Sequence, residues 1–578
     1  MRLRHDKSRY DPGETAVFTV VGLPKDHESV QATVTIYHLH QVVAVFLPIF
    51  LETDEEEYRF IWKTPPTDFC GYLIELELRL TEGGPETLYT AVDVSSDWRR
   101  FPRYGYLTDF STGVDTTAII DEMVDWQLNS IEYYDWKFLH HQPLPEDHRM
   151  EWEDWSGRPI SGTTVKSYIR EAKKRHIINM SYNMIYAATN NYADYGVKEE
   201  WGLWYAGGAG NKDRTVGERF VFKMGHSPSG QDRLYFFDIE NPQWQDFIIE
   251  KNLEALDEMG FDGWHGDTVG EWGPMWTKET MGKPEKAKLV KDGYHAFLNL
   301  AKERMGEQTF LSFNPVGAQG IEQVNTSAVD MLYAEIWPWD IDRDGEGYET
   351  YGALKKVVDR ARAESGGKSL VIPAYMEYER ANRVTNEPFN MAAELLTDAA
   401  VYAAGGSRIE LGDGHQMLSS EYFPSKNLYM NGLHQEKQLA LQNFIVAYEN
   451  ILRDGLEDDD KQITVGELPV SKTGCPNMIW AYSKSSETCQ SVQLINLLGV
   501  SSNDWRAAEG IKETPIHQQN LPLKLYSDTV FRSGWFITPD QLQPPQKLSI
   551  EYGTDNKGNY AAVRVPSLEY WSVVYFEK

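Results

Sequence analysis

The chain has 578 residues, of which 41% are hydrophobic, as expected for a globular protein with several domains. Its formal net charge of −31 argues against binding to nucleic acid or to an anionic membrane, because both require a basic protein surface. No stretch is long and apolar enough to span a bilayer. The N-terminus MRLRHDKSRYDPGE lacks the apolar region of a signal peptide, so we expect a cytoplasmic protein or a processed form.

The cysteines do not form a recognisable metal or disulfide pattern. Only Cys70, Cys475 and Cys489 occur, with no CxxC pair or Cys/His cluster. We therefore expect no zinc site and no disulfide framework, although a disulfide between Cys475 and Cys489 is left as an alternative.

Residues 1–97 are predicted to form an immunoglobulin-like β-sandwich. Six short β-branched and aromatic segments alternate with turn residues, among them TAVFTVVG, VQATVTIYHL and GYLIELELRLT. Residues 457–578 show the same short β pattern in QITVGELPV, SVQLINLLG and LEYWSVVYFE, which predicts a second, C-terminal β-sandwich.

Residues 98–456 alternate short apolar strands with amphipathic helices, a pattern that predicts a (β/α)8 barrel. The shortest predicted helix is GIEQVNT, and the longest connecting loop is 189–235. The eight predicted strands are 103–110, 129–136, 177–184, 261–267, 309–315, 331–337, 369–375 and 407–413.

Acidic residues lie near the ends of several of these strands. In such barrels the active site lies at the carboxyl ends of the strands. The acids are Asp109 on strand 1, Asp135 on strand 2, Asp267 on strand 4, Glu335 on strand 6 and Asp413 on strand 8. Although a single acid there often only caps a helix or supports a loop, five of them together predict a functional cluster.

Alternation along the strands predicts which acids face the barrel interior. In strand 6, Leu332, Ala334 and Ile336 suit the helix-facing side, so Glu335 points inward. In strand 4, His265 and Asp267 share one face with Gly263, which leaves room for a carboxylate at the barrel mouth.

Two carboxyl groups facing one cavity are suited to glycosidic chemistry. One attacks the anomeric carbon and the other protonates the departing oxygen. The apolar neighbours of Glu335 in EIWPW predict a raised pKa and the acid role, whereas the polar, glycine-rich surroundings of Asp267 suit an ionised nucleophile.

Other residues near the strand ends are candidates for sugar contacts. His140 and His141 are suited to sugar hydroxyls, to loop structure or to a metal. The aromatic side chains of Trp136, Trp264 and Trp337 either stack on glucose or pack between strands and helices. Strand alternation predicts that Trp136 and Trp264 face the helices. The remaining candidates for the rim are Asn314, Tyr375 and Asp413.

Three motifs together, GFDGWHGDTVG, YAEIWPW and YYDWKFLHHQP, resemble glycoside hydrolase family 66 over essentially the whole chain. This family contains endo-dextranases and cycloisomaltooligosaccharide glucanotransferases. The resemblance implies a retaining enzyme that acts on α-1,6-glucans such as dextran and isomaltooligosaccharides without a cofactor. It also implies that Asp267 is the nucleophile, Glu335 the general acid/base and Asp135 a ligand of the −1 sugar.

The family's glucanotransferases carry a carbohydrate-binding module near barrel strand 7. The segments after strands 7 and 8 in this chain leave no room for one, which favours dextran hydrolysis. Two alternatives stay open: transglycosylation to cyclic products, and a non-catalytic glucan-binding protein that keeps the barrel as a scaffold.

Overall fold

The protein is described by a computed structural model that covers residues 1–22, 30–51, 57–79, 84–208, 214–225, 227–228 and 230–578. Part of the predicted loop 189–235 lies outside these residues. The expected multidomain architecture is confirmed: a barrel of eight parallel strands lies between two antiparallel β-sandwiches. Within the described residues, no helix combines the length and the apolar character that crossing a bilayer requires.

The N-terminal sandwich packs a three-stranded sheet on a four-stranded sheet. Its core lies between the two sheets, around Phe18, Val34 and Leu76. The first sheet contains Arg2–His5, Thr15–Val21 and Glu57–Lys63; the second contains Gln41–Leu51, Val30–His38, Cys70–Arg79 and Pro85–Val94.

The barrel strands are hydrogen-bonded in chain order, each parallel to the next. The first and last strands close the cylinder through a parallel bridge between Tyr106 and Gly412. Barrel strands 1 to 8 are Tyr104–Leu107, Ser130–Tyr133, Ile178–Met184, Gly263–Asp267, Phe310–Phe313, Met331–Tyr333, Leu370–Pro373 and Ser407–Ile409.

Helices surround these strands, and most match the predicted segments. The helix before strand 5 begins only at Tyr294, because the preceding segments Pro284–Lys286 and Val290–Gly293 form 3-10 turns. The short helix predicted at GIEQVNT is present as Ile321–Asn325. The other main barrel helices are Thr116–Asp125, Gly162–Lys174, Pro242–Met259, Tyr294–Met305, Tyr351–Ser365, Met391–Ala404 and Gly432–Ala447, with short helices at Tyr378–Ala381 and Glu449–Leu452.

Local sequence signals explain where the helix before strand 4 begins and ends. The Asn241 side chain accepts hydrogen bonds from the backbone N–H groups of Gln243 and Trp244, and Pro242 occupies the first turn. The helix stops at Gly260, which adopts the left-handed conformation with φ 86°. The chain then turns directly into strand 4, which ends at Asp267.

The predicted alternation is also confirmed. Met331 and Tyr333 belong to a cluster inside the barrel with Tyr104, whereas Leu332 and Ala334 pack in the outer core under the helices. The interior is thus a filled core rather than a pore.

The C-terminal sandwich has a seven-stranded and a four-stranded sheet around Val492, Leu523 and Val574. Cys475 and Cys489 are unpaired, so the disulfide that the sequence left open is not formed. The first sheet contains Glu457–Asp459, Val470–Ser471, Ile479–Ser485, Cys489–Asn496, Ser533–Ile537, Gln546–Leu548 and Trp571–Glu577; the second contains Ile463–Val465, Gln518–Tyr526, Glu551–Asp555 and Gly558–Leu568.

Candidate active site

The carboxyl ends of strands 4, 5 and 6 bring Asp267, Asn314 and Glu335 together. Asp267 is the last residue of strand 4, Asn314 follows strand 5 and Glu335 follows strand 6. A side chain at Gly263 would meet the Phe310 carbonyl oxygen at 2.4 Å, so a glycine is needed where strands 4 and 5 approach. The glycine-rich sequence before Asp267 therefore permits this strand packing.

One amide nitrogen joins the two acids. The Asn314 Nδ2 donates to Asp267 Oδ1 at 2.9 Å and to Glu335 Oε2 at 3.0 Å. The Asn314 Oδ1 accepts from the Glu335 backbone N–H at 3.2 Å, which fixes the orientation of the amide. Both carboxyl groups thus face one shared cavity.

Asp267 is held from two sides. Besides Asn314, the Tyr182 hydroxyl donates to Asp267 Oδ2 at 2.6 Å. Burial raises the pKa of Asp267 to about 6, and the hydrogen bonds from Tyr182 and the Thr268 backbone limit this rise. Asp267 is therefore mainly ionised at neutral pH.

Glu335 has a more strongly raised pKa. Its Oε1 accepts from Trp337 Nε1 at 2.6 Å, and the Tyr375 hydroxyl lies 3.3 Å from Oε2. Burial and repulsion from Asp267 raise the pKa of Glu335 to about 8. Glu335 therefore carries a proton at neutral pH while its partner is charged, the division of states that an acid and a nucleophile require.

Asp135 forms a second charged group at the mouth. Lys137 Nζ donates to Asp135 Oδ1 at 2.6 Å and Trp155 Nε1 to Oδ2 at 2.8 Å. Burial favours the neutral acid, but the positive charges of Lys137 and Arg158 outweigh it and keep the pKa of Asp135 low. Asp135 also has a positive φ of 51°, an uncommon conformation for a residue with a side chain and one that occurs at functional sites.

Lys137 and an aromatic wall connect Asp135 with the acids. Lys137 Nζ lies 4.4 Å from the centre of the Tyr182 ring, whose hydroxyl contacts Asp267. Tyr134 stacks on Tyr182 at 4.8 Å and on Phe423 at 4.4 Å between ring centres. Aromatic rings thus form one side of the site, next to the charged pair of Asp135 and Lys137.

Trp136 and Trp264 do not reach this cavity, so their predicted contact with substrate is not retained. Trp136 is fully buried and donates to Ser181 Oγ at 3.1 Å, and Trp264 donates to the Asn183 carbonyl at 3.2 Å. Both pack in the outer core between strands and helices, as strand alternation predicted.

His140 and His141 each use one ring nitrogen in the local structure, while their Nε2 atoms have no hydrogen-bond partner within the part of the chain that the structure describes, so their role as sugar ligands stays a prediction. His140 Nδ1 lies 3.0 Å from Asn183 Oδ1, and the Thr189 backbone N–H lies 3.3 Å from His141 Nδ1. Burial lowers the pKa of His141 to about 3. Among the described residues, the only candidate metal cluster of His, Cys, Asp or Glu is Asp11, Glu14 and His176. His140 and His141 do not belong to this cluster.

Asp413 holds the barrel together instead of facing a sugar. It accepts from the Thr108 N–H and hydroxyl, from the Asp109 N–H at 3.0 Å and from Lys426 Nζ at 2.6 Å. Four donors use the acceptor capacity of one carboxylate, so the predicted sugar contact of Asp413 is not retained. The side chain joins the ends of strands 1 and 8.

Asp413→Ala should therefore destabilise the fold. Removal of the carboxylate leaves the buried N–H and O–H donors without an acceptor and the Lys426 ammonium without its ion-pair partner. We expect the free energy of unfolding to fall by about 2–4 kcal/mol. Chemical denaturation would measure this, with Asp109→Ala as the control, since Asp109 is exposed at the same rim. Equal stability of the two variants would contradict the structural role.

The sequence missed Tyr182, Lys137 and Trp155. Tyr182 shares the inward face of strand 3 with Met180, so alternation alone was sufficient to find it. Lys137 follows the YDW motif directly. Trp155 gave no signal, because it reaches Asp135 only through the hairpin that pairs Glu151–Glu153 with Pro159–Ser161.

Comparisons with known proteins identify the family of this chain. A model of glycosyl hydrolase family 66 matches residues 5–575. A cycloisomaltooligosaccharide glucanotransferase of Niallia circulans is 27% identical over 100% of this chain and 72% of that protein. A dextranase of Streptococcus salivarius is 26% identical over 89% of this chain and 68% of that protein.

A solved structure is similar along the whole chain. It is the cycloisomaltooligosaccharide glucanotransferase of Paenibacillus sp. complexed with cycloisomaltoheptaose, with a TM-score of 0.88 and 25% identity over 100% of this chain and 99% of that one. The resemblance carried by the three sequence motifs is thereby confirmed. The chain belongs to glycosyl hydrolase family 66.

Proposed function

We propose that the protein is a retaining endo-hydrolase of the α-1,6-glucosidic linkages of dextran. Its relatives include a dextranase and cycloisomaltooligosaccharide glucanotransferases, one of them complexed with cycloisomaltoheptaose, which supports an α-1,6-glucan as substrate. The substrate of such an enzyme is neutral, so the net charge of −31 does not oppose its binding.

The shared Asn314 nitrogen is the observation that carries the retaining mechanism. Since Asp267 Oδ1 and Glu335 Oε2 lie 2.9 and 3.0 Å from one atom, these two facing oxygens, one from each carboxyl group, are at most about 6 Å apart. Inverting enzymes need roughly 6.5–9.5 Å between their carboxyl groups to hold a water, whereas retaining enzymes have roughly 5–5.5 Å. The bridge favours direct attack by Asp267.

In the first step, an Asp267 oxygen bonds to the anomeric carbon. The glycosidic C–O bond breaks, and its electron pair stays on the leaving oxygen, which takes the proton of Glu335. In the second step, Glu335 removes a proton from water as the water oxygen attacks the same carbon and the bond to Asp267 breaks. The α configuration of the cleaved bond is thus restored.

Asp135 is proposed to bind hydroxyl groups of the −1 glucose. Its low pKa keeps it ionised at every pH at which the acid pair works. Lys137 offsets this negative charge, so that Asp135 does not raise the pKa of Asp267 further.

Two observations favour hydrolysis over cyclisation. The segments after strands 7 and 8, residues 374–390 and 410–431, hold only short elements and no inserted domain. The alignment with the Niallia circulans glucanotransferase runs over 726 positions, so that relative carries insertions that the 578 residues of this chain lack, whereas the Paenibacillus glucanotransferase is matched over 99% of its solved length.

Incubation with dextran and chromatography of the products tests the proposal. We expect linear isomaltooligosaccharides of mixed length. Cyclic products would make the protein a glucanotransferase, and glucan binding without products would support a non-catalytic scaffold.

The pH dependence of kcat/KM on dextran should be bell-shaped. Activity should rise as Asp267 loses its proton near pH 6 and fall as Glu335 loses its proton near pH 8. The maximum should therefore lie near neutral pH. Initial rates at constant ionic strength measure the profile, and full activity maintained at pH 10 would contradict the assignment of Glu335 as the acid.

A further inference from the structure

The exposed face of Trp339 is a feature that the proposed chemistry does not use. The side chain of Trp339 is 61% exposed, although most of the large aromatic residues near the site are buried. It stacks on Trp337 with 4.8 Å between ring centres and 18° between planes. Because Trp337 donates to Glu335, the Trp339 ring is one aromatic ring away from the general acid.

Arg506, from the C-terminal sandwich, supports the stack from the covered side. Its guanidinium carbon lies 4.6 Å from the Trp339 ring centre and 5.3 Å from that of Trp337. A cation on the outer face of Trp339 would be much farther from Trp337, so Arg506 and Trp337 lie on the same side. Tyr378 closes this side, with its ring centre 4.8 Å from the guanidinium carbon. The opposite indole face is left exposed.

The position of the stack indicates which part of a glucan would meet it. A general acid lies beside the leaving oxygen. Residues on the side of Glu335 that is turned away from Asp267 therefore face the part of the glucan that leaves. Asp135 lies on the other side of Asp267, beyond Tyr182. An aromatic face has an apolar surface that suits the C–H face of a glucose ring.

We propose that the outer face of Trp339 is a binding platform for a glucose unit on the leaving-group side of the cleaved bond. This inference rests on the proposed glucanase function. The same platform would receive an acceptor sugar after the first step, so it would also set how often transfer to a sugar competes with hydrolysis.

Trp339→Ala tests the platform with two substrates. On long dextran, kcat/KM should fall about five- to tenfold, the effect of losing one aromatic stacking contact. On α-isomaltotriosyl fluoride it should change by less than about twofold, because fluoride leaves without any sugar on that side. The yield of transfer to added isomaltotriose, relative to hydrolysis, should fall together with kcat/KM on dextran.

Two further variants make the result specific. Ile341→Ala is a matched control, because Ile341 is equally exposed at 61% and follows two residues later. It should leave both substrates unaffected, and Trp339→Phe, which keeps a flat ring, should recover most of the dextran activity.

The platform is wrong if Ile341→Ala and Trp339→Ala behave alike on dextran. It is also wrong if Trp339→Ala loses the fluoride reaction, since that loss would indicate structural damage and not a lost contact with the leaving chain. A shift of the upper limb of the pH profile in Trp339→Ala would likewise contradict the platform, since the residue would then act through Glu335. Failure of the wild-type protein to cleave either substrate would instead refute the proposed function, and the platform with it.

Discussion

Asp267→Asn should reduce the turnover of dextran by at least about ten thousandfold, because losing a nucleophile removes the covalent route. Asparagine keeps the shape of the side chain and can still contact Tyr182 and Asn314, so the fold should be unchanged. The measurement is kcat on dextran, combined with circular dichroism to confirm folding. Activity above about 1% of wild type would contradict the assignment.

Chemical rescue makes this prediction sharper. In Asp267→Ala, azide in the vacated space should attack an α-isomaltotriosyl fluoride directly and give the β-glycosyl azide. Glu271→Gln is the control: Glu271 lies four residues farther along the chain and accepts from the backbone of Gly273 and Lys291, outside the acid pair. This control should keep its activity on dextran and form no azide product.

Glu335→Ala should lower kcat/KM on dextran by about a thousandfold, within the range for the loss of a general acid. The release of fluoride from the glycosyl fluoride should stay fast for the first turnover, because fluoride needs no proton. Azide should then accelerate the second step and give the α-glycosyl azide, since this nucleophile needs no base. A thousandfold loss in fluoride release would indicate structural damage instead.

The pH profile provides the control for Glu335. Glu335→Gln should lose the fall in activity near pH 8, because the group whose raised pKa causes it is absent. Glu421, an exposed carboxylate, adds to the negative charge that raises the pKa of Glu335. Glu421→Gln should therefore keep the rate and move the upper limb of the profile to lower pH. An unchanged limb in Glu335→Gln would remove Glu335 from the acid role.

The orientation of the two acids was predictable because barrel strands obey a strict alternation. A strand buried on both sides has one face in the barrel core and one under the helices, so the apolar Leu332 and Ile336 fixed the direction of Glu335. The same rule predicted that Trp136 and Trp264 face outward, and the structure places them there.

The roles of the other rim residues depend on partners that are distant in the chain. Asp413 meets Thr108 and Asp109 about 300 residues earlier, where strand 8 closes on strand 1. The contact of Trp155 with Asp135 depends on how a hairpin folds over strand 2. Alternation and motif spacing describe single strands, so they do not report such contacts between strand ends.

The central claim is that Asp267 attacks the anomeric carbon from one face and that Glu335 directs water to the opposite face, from which the leaving group departed. Proton NMR during dextran cleavage tests it most directly, because it shows the configuration of each new reducing end before mutarotation. Retention predicts that the α-anomer forms first and the β-anomer appears later at the rate of mutarotation. Initial release of the β-anomer would show inversion and contradict the double displacement.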